Sequence, residues 1–206
     1  MFALMHASAN QDERVRNIIT IGSPVDSHKM GLLAWLVRLS HDQIDFVSRQ
    51  LGNIPGDLSS AAFKMTAPLK SFTRYADLFI NLWNEEYVND FDALRQWTDN
   101  FIDYPGEAFR QLVDDFLVGN KLKDGRWTFG QRVADLSRIT CPVLAFAGKD
   151  DQIVPASAVR KVVELVSSDD TEVRVVPGGH MGMFGGRRAV AAVMEASAQW
   201  LAERSD

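Results

Sequence analysis

Two short segments of this sequence combine titratable side chains with residues that let a loop fold tightly around them. One is Gly148-Lys-Asp-Asp-Gln-Ile-Val-Pro155 and the other is Pro177-Gly-Gly-His-Met-Gly182. Each follows a run that reads as a buried strand, Cys141-Pro-Val-Leu-Ala-Phe-Ala147 and Glu172-Val-Arg-Val-Val176. A carboxylate and an imidazole delivered from one edge of one sheet have a defined chemistry. The carboxylate fixes the ring tautomer and stabilises the imidazolium, while the other ring nitrogen takes a proton from a nucleophile. The expected pair is Asp151 as acid and His180 as base. Asp150 competes with Asp151, but Ile153 and Val154 behind Asp151 anchor the next helix, so Asp150 is expected to face solvent or cap a turn. Taken alone, His180 reads as well as a loop histidine; the pairing with the Asp151 loop is what selects the catalytic reading.

The fold that must position these loops is α/β. Val15–Ile21 is β-branched and apolar and ends at Gly22-Ser-Pro24, as a buried strand with a turn at its carboxyl end does. Residues 1–10 read as the end of a helix, Pro155–Val166 as an amphipathic helix, and Arg187–Glu203 as a final helix. In that last helix Val190, Val193, Met194, Ala198 and Leu201 share a face. Strands alternating with helices imply a parallel sheet with right-handed crossovers, and such sheets bind ligands outside the carboxyl ends of their strands.

Between the first strand and the other two lies a helical stretch. Helices are expected over Gly31–Ser48, Ser59–Lys64, Tyr75–Trp83, Asp90–Phe101 and Gly106–Leu117. Asn53–Gly56 reads as a turn, and Lys121–Thr128 as a polar loop or hairpin with Asp124-Gly125 at its tip. The resulting organisation is a partial α/β core, residues 1–26 and 131–206, split by a helical cap insertion, residues 27–130. Many of the five Trp and twelve Phe fall in or beside that insertion. An aromatic-rich insertion of this length is commonly a lid over a site. Trp35, Phe72, Trp83, Phe91, Trp97 and Trp127 are the candidates to face a groove, with Trp83 and Trp127 expected to contact substrate against the plainer alternative of packing.

Composition narrows the class further. A formal charge of −5 argues against a binder of nucleic-acid phosphates. The single cysteine, Cys141, permits no internal disulfide and fits a cytoplasmic location. The amino terminus has no basic segment and only a short apolar stretch, so no secretory signal is expected. No run is long enough to span a membrane, and no metal or cofactor is expected. Cys141 begins a strand at the end opposite the acid and histidine loops and reads as a small buried hydrophobe. Ser23 reads as a turn residue, Asp26 as a helix cap, and His28 and His41 as surface or cap residues.

The acid and histidine loops are similar to those of α/β-hydrolases. Four further segments make the chain resemble the poly(3-hydroxyalkanoate) synthases and their hydrolase-like relatives. They are Gly22-Ser-Pro-Val-Asp26, Leu82-Trp-Asn84, Phe116-Leu-Val-Gly-Asn-Lys-Leu122 and Asp135-Leu-Ser-Arg-Ile-Thr-Cys-Pro142. The resemblance spans nearly the whole chain and implies an acyltransferase acting on hydroxyacyl-CoA thioesters through a nucleophile–His–Asp triad. It implies Asp151 as triad acid, His180 as general base, and association with a hydrophobic polyester granule surface. In the synthases the nucleophile is a Cys, and in the hydrolases a Ser, in a Gly-x-[Ser/Cys]-x-Gly elbow before the helix matched by residues 1–10. No such elbow occurs in this sequence. The expectation is therefore the C-terminal part of the fold, lacking the nucleophile, inactive alone and prone to self-association through an exposed edge strand. Two other readings stay open: a fragment of an esterase or lipase, and a non-catalytic binding or scaffold protein.

Overall fold

A computed structural model describes residues 1–65 and 68–204, the side chains of Leu33 and residues 68–72 excepted. Phe72 lies outside the described side chains. Along the chain, α1 (Phe2–Asn10) leads to β1 (Ile18–Ile21), a 3₁₀ turn at Ser27–Lys29, α2 (Leu32–Leu39) and α3 (His41–Leu51). Next come β2 (Asn53–Ile54), α4 (Gly56–Lys64), α5 (Pro68–Ile80), α6 (Glu85–Asp99), β3 (Tyr104–Pro105) and α7 (Gly106–Gln111). A π-helix at Leu112–Val118 and a 3₁₀ turn at Lys121–Asp124 precede β4 (Arg126–Phe129) and β5 (Arg132–Asp135). The chain closes with β6 (Val143–Gly148), α8 (Ala156–Val159), α9 (Val162–Leu165), β7 (Thr171–Val176), α10 (Gly182–Gly185) and α11 (Arg187–Ala202).

The chain divides into two compact units, Met1–Trp35 with Asp115–Asp206, and Leu36–Asp114. Residues 27–35 and 115–130, assigned from sequence to the insertion, thus belong to the core unit. The reason is a buried polar network. Asn120, held at φ 49°, donates from Nδ2 to Asp26 Oδ1 at 2.8 Å and accepts from the Ser27 backbone at 2.8 Å and the Ser27 hydroxyl at 2.9 Å. The single Ser27 hydroxyl proton is shared between Asn120 and the Phe116 carbonyl. Asp26 stands at the cap position of the Ser27–Lys29 turn, as expected from sequence, but makes no side-chain cap bond there, because its carboxylate is taken by Asn120 and Lys29.

The core unit contains a parallel sheet in the order β1–β6–β7, with Ile18 opposite Val143 and Val143 opposite Thr171. All six residues of β6 are buried, as a strand flanked on both edges and covered on both faces requires. Leu144 and Phe146 pack with Val176, Met183, Val193 and Trp200 on one face. β1 pairs only with β6 among the described residues, so its other edge is open.

Several boundaries differ from expectation, three of them in the core unit for a visible cause. β1 starts at Ile18 rather than Val15, because Asp12 accepts from the Arg14 backbone at 3.1 Å and from its guanidinium at 2.8 and 2.7 Å, turning the chain before the sheet. Pro155–Val166 is two short helices, because the Ala158 carbonyl accepts from Val25 and Asp26 instead of continuing the ladder. The hairpin is β4–β5, with Phe129 opposite Arg132, so its tip is Gly130-Gln131 rather than Asp124-Gly125. Gly130 supplies the positive φ, 56°, that a type II′ turn needs at its first central position. In α11 the buried residues are Ala189, Val193 and Trp200, while Met194 is exposed. Trp200, seated against the β6 side chains, rotates the apolar face away from the one read from sequence.

The unit Leu36–Asp114 is helical, apart from the two-residue antiparallel pair of β2 and β3. The helix expected over Gly31–Ser48 breaks at Ser40 into α2 and α3. Asn84 caps α6 by accepting from the Tyr87 backbone at 3.1 Å. No described helix is long and apolar enough to cross a membrane.

Candidate active site

The loops after β6 and β7 leave the same edge of the sheet, since the strands are parallel and adjacent. They are tied together by backbone bonds: Lys149 donates to the Val176 carbonyl at 2.8 Å and Asp150 to the Gly178 carbonyl at 3.0 Å. This closeness depends on Gly148. A Cβ there would stand 2.7 Å from the Gly178 oxygen and 3.2 Å from the Asp151 Cβ.

Within this frame Asp151 and His180 meet. His180 Nδ1 lies 2.8 Å from Asp151 Oδ2, within hydrogen-bond reach, the arrangement in which an acid orients an imidazole. The other carboxylate oxygen accepts from the Ile153 and Val154 backbones at 2.9 and 2.8 Å. The Asp151 side chain is fully buried, and about a quarter of the His180 side chain is exposed. A buried, triply bonded acid has a fixed direction, and it fixes the ring in turn. No described residue bonds His180 Nε2, which leaves that nitrogen free to accept a proton. Asp150 is exposed and Asp151 is not.

The end of β1 completes the wall around the imidazole. Gly22, at φ 55°, donates to the Phe146 carbonyl at 2.9 Å. A Cβ on Gly22 would lie 3.2 Å from both Cε1 and Nδ1 of His180, and 2.9 Å from Met183 Cε. Sequence reasoning placed Gly22 only as a turn; a glycine immediately after a buried strand was the available signal. The neighbouring Ser23 is buried, and its hydroxyl bonds the Met1 amine, so the amino end of α1 stands at this same edge of the sheet.

The remaining candidates are each described in their own unit. Trp127 is buried in the core unit between Phe116 and Phe129, and its Nε1 donates to Asp115 at 2.8 Å. Trp83 is exposed, with its Nε1 donating to the Ile80 carbonyl at 3.0 Å at the end of α5. Trp35 and Trp97 are exposed, and Phe91 packs edge-on against Tyr75. Cys141 precedes β6, at the end opposite Asp151, and burial pushes its thiol upward, away from the reactive thiolate. His28 is exposed and bonds the Val118 carbonyl at 2.9 Å. His41, which showed no partner in the sequence, sits 2.7 Å from Asp114 and 3.3 Å from Asp42. Among the described residues no group of three or more His, Cys, Asp or Glu gathers as a metal site would require.

Comparison with known proteins fits this geometry. The alpha/beta hydrolase fold family matches residues 1–186. The chain is 34% identical over 206 residues to a poly(3-hydroxyalkanoate) polymerase subunit of Allochromatium vinosum, covering 98% of this chain and 57% of that protein. A polymerase subunit of Synechocystis is 32% identical over 210 residues, covering 98% of this chain and 55% of its own length. The chain thus spans about half the length of the curated relatives it matches. Among solved structures, a monoacylglycerol lipase from Paleococcus ferrophilus superposes with a TM-score of 0.54 at 15% identity, covering 98% of this chain and 64% of that one. A putative non-heme bromoperoxidase of Mycobacterium tuberculosis gives 0.51 at 16% identity, covering 99% and 63%. At such identities these two speak for the fold alone. The chain belongs to the α/β-hydrolase fold family, and within it resembles the poly(3-hydroxyalkanoate) polymerase subunits.

Proposed function

We propose that residues 1–206 carry the acid and the base of an acyltransferase that builds poly(3-hydroxyalkanoate) from 3-hydroxyacyl-CoA thioesters. The observation that supports this reading most directly is the Asp151–His180 contact at 2.8 Å, with Nε2 left unpartnered at the carboxyl edge of the sheet. The similarity to polymerase subunits over 98% of the chain supplies the substrate class.

In this reading His180 Nε2 removes the proton of a thiol or hydroxyl nucleophile, and the imidazolium that forms is stabilised by Asp151. The nucleophile attacks the thioester carbonyl, and the CoA sulfur leaves with the proton returned by Nε2. A hydroxyl of a second hydroxyacyl group, deprotonated by the same nitrogen, then attacks the acyl-enzyme and lengthens the chain, the acyl–nucleophile bond breaking and Nε2 returning the proton to the freed nucleophile. Residues 1–206 contain no Gly-x-[Ser/Cys]-x-Gly elbow, and in this reading the nucleophile meets Nε2 from outside them. The position of α1 accords with this, because its amino end stands beside the wall of the His180 site. A nucleophile elbow joins a strand to such a helix, and the backbone N–H after it helps hold the oxyanion.

The exposed apolar side chains of residues 36–114, Trp83 among them, provide contact for a hydrophobic acyl chain or the surface of the growing polyester. Trp127, buried with its Nε1 occupied, serves packing in this reading. The open edge of β1 is a place for self-association or strand addition.

The test follows CoA release from 3-hydroxybutyryl-CoA by the full polypeptide that carries these residues. His180→Ala and Asp151→Asn are each expected to lower the rate by about 10³-fold or more, as triad replacements do. Unchanged rates would overturn the assignment and favour a non-catalytic role. Product identity tests the acceptor: polymer supports the polymerase reading, while free 3-hydroxybutyrate alone would turn it into a hydrolase.

A further inference from the structure

The segment leading from β1 towards α2 touches the acid loop at a point where no side chain fits. A Cβ placed on Gly31 would stand 2.0 Å from the backbone oxygen of Gln152, well inside contact distance. The Gly31 N–H donates to the next carbonyl, that of Ile153, at 3.2 Å. Ile153 and Val154 are the residues whose N–H groups hold Asp151 Oδ1. The peptide units after Asp151 are therefore gripped from two sides, by the Asp151 carboxylate and by the Gly31 backbone.

The gripping segment is itself anchored on the amino-terminal side of Gly31. Before Gly31, Val25 and Asp26 donate to the Ala158 carbonyl at 3.0 and 3.1 Å, and Ser27 is bound to Asn120 and Phe116. After it, Ala34 donates to the Gly31 carbonyl at 3.1 Å and opens α2. With the chain anchored just before it and its own N–H bonded to the Ile153 carbonyl, Gly31 has little room to retreat, so extra atoms at position 31 press on the loop it faces.

We propose that Gly31 is a positioning residue for Asp151, bracing the acid loop through the Gln152 and Ile153 backbone so that Oδ2 points at His180 Nδ1. The inference rests on the reading of Asp151 and His180 as the reactive pair, but its readouts need no turnover. Gly31→Ala forces the Gln152 carbonyl outward, tilts the Asp151 carboxylate and frees the imidazole to sample its other tautomer.

The experiment uses the 206-residue chain with ¹⁵N-labelled histidine and backbone. In the parent chain the His180 nitrogens should report a single Nδ1–H tautomer. In Gly31→Ala the tautomers should mix, and exchange at the Ile153 and Val154 amides should quicken by about tenfold or more while β6 stays protected. Gly185→Ala is the control, because a Cβ there meets nothing within 4 Å. A Gly31→Ala chain with the parent tautomer and the parent exchange rates would overturn the proposal, as would an equal response from Gly185→Ala. If Gly31→Ala exposes β6 and so fails to fold, Ser27→Ala decides, since it loosens the same segment without adding atoms. That variant should speed exchange at Ile153 and Val154 with β6 intact; no change there overturns the proposal. In the full polypeptide, Gly31→Ala should lower kcat and leave KM unchanged. A Gly31 response in a polypeptide that transfers no acyl group would refute the functional reading alone.

Discussion

The two units of this chain use apolar residues in opposite ways. In the core unit Leu144, Phe146, Val143, Leu4, Leu136 and Trp200 are at most 1% exposed. In residues 36–114 only Ile54 and Val113 join the buried apolar set among the described residues, whereas Phe46, Phe79, Ile80, Trp83 and Ile102 are each more than 60% exposed. The insertion unit is knit instead by ring contacts among Phe63, Trp97 and Phe101, and by surface pairs such as Lys64–Asp99 and Arg95–Asp92. Exposed ion pairs contribute about 0–1 kcal/mol each. The core thus invests its apolar surface in its own stability, and the insertion keeps much of it available. Exposed apolar area on that scale marks an interaction surface or an aggregation liability.

The sharpest break of this contrast is a matched truncation. Phe146→Ala should cost about 3–5 kcal/mol of unfolding free energy, as buried aromatic deletions do. Phe79→Ser should stay within about 0.5 kcal/mol, as surface changes do, and should reduce light scattering by the purified chain. Denaturant titration of both variants checks the pair; equal losses would show that residues 36–114 bury Phe79 in solution.

A smaller effect is expected at Gly22. Gly22→Ala adds a methyl against His180 and Met183 at a positive φ, which costs about 1–2 kcal/mol. Thermal unfolding should register that loss, and CoA release by the full polypeptide should fall more steeply than stability alone accounts for. Retained activity would mean that the ring does not need this wall.

Smaller still is a pH response in the insertion. The hydrogen bond to Asp114 raises the His41 pKa; burial opposes this, and Asp42 adds to the rise. Asp45, Arg49 and Arg110 complete the charged surroundings. Because the folded value lies above the unfolded one, the stabilisation is complete below about pH 6.5 and fades as pH rises through the folded value. Amide exchange in the first turn of α3, corrected for intrinsic rates, should therefore quicken at alkaline pH, and His41→Gln should abolish that dependence. The least effect belongs to Cys141. With its thiol raised by burial, alkylation should be slow at neutral pH, and Cys141→Ala should leave CoA release unchanged.

The same contrast governs what the sequence made legible. β6 and the Asp151 and His180 loops could be read because their signals are local: an apolar run, then a glycine, then a polar side chain. Burial of β6 on all sides is what produces such a run. The insertion helices are amphipathic, but much of their apolar face is exposed, so periodicity marked the helices without fixing their ends, which shifted. Contacts between distant residues were invisible. Nothing in the sequence connects His41 with Asp114, Asn120 with Asp26, or Gly31 with Gln152. Trp127 illustrates the limit: its type left an acyl contact open beside the plainer packing role, and the Asp115 bond and the stacked Phe129 show it enclosed.

The Asn120–Asp26–Ser27 network has a consequence for how the chain folds and varies. It joins residues more than ninety positions apart, so the whole stretch between them is a closed loop as seen from the sheet. Closing a loop costs conformational entropy that grows only with the logarithm of its length, about 0.6 kcal/mol for each doubling. Once those three side chains have met, the core is nearly indifferent to how many residues lie in between. Lengthening, shortening or exchanging helices within residues 36–114 should thus be thermodynamically cheap, provided that the core-unit residues on either side, Asp26, Ser27, Gly31, Asp115, Phe116 and Asn120, remain.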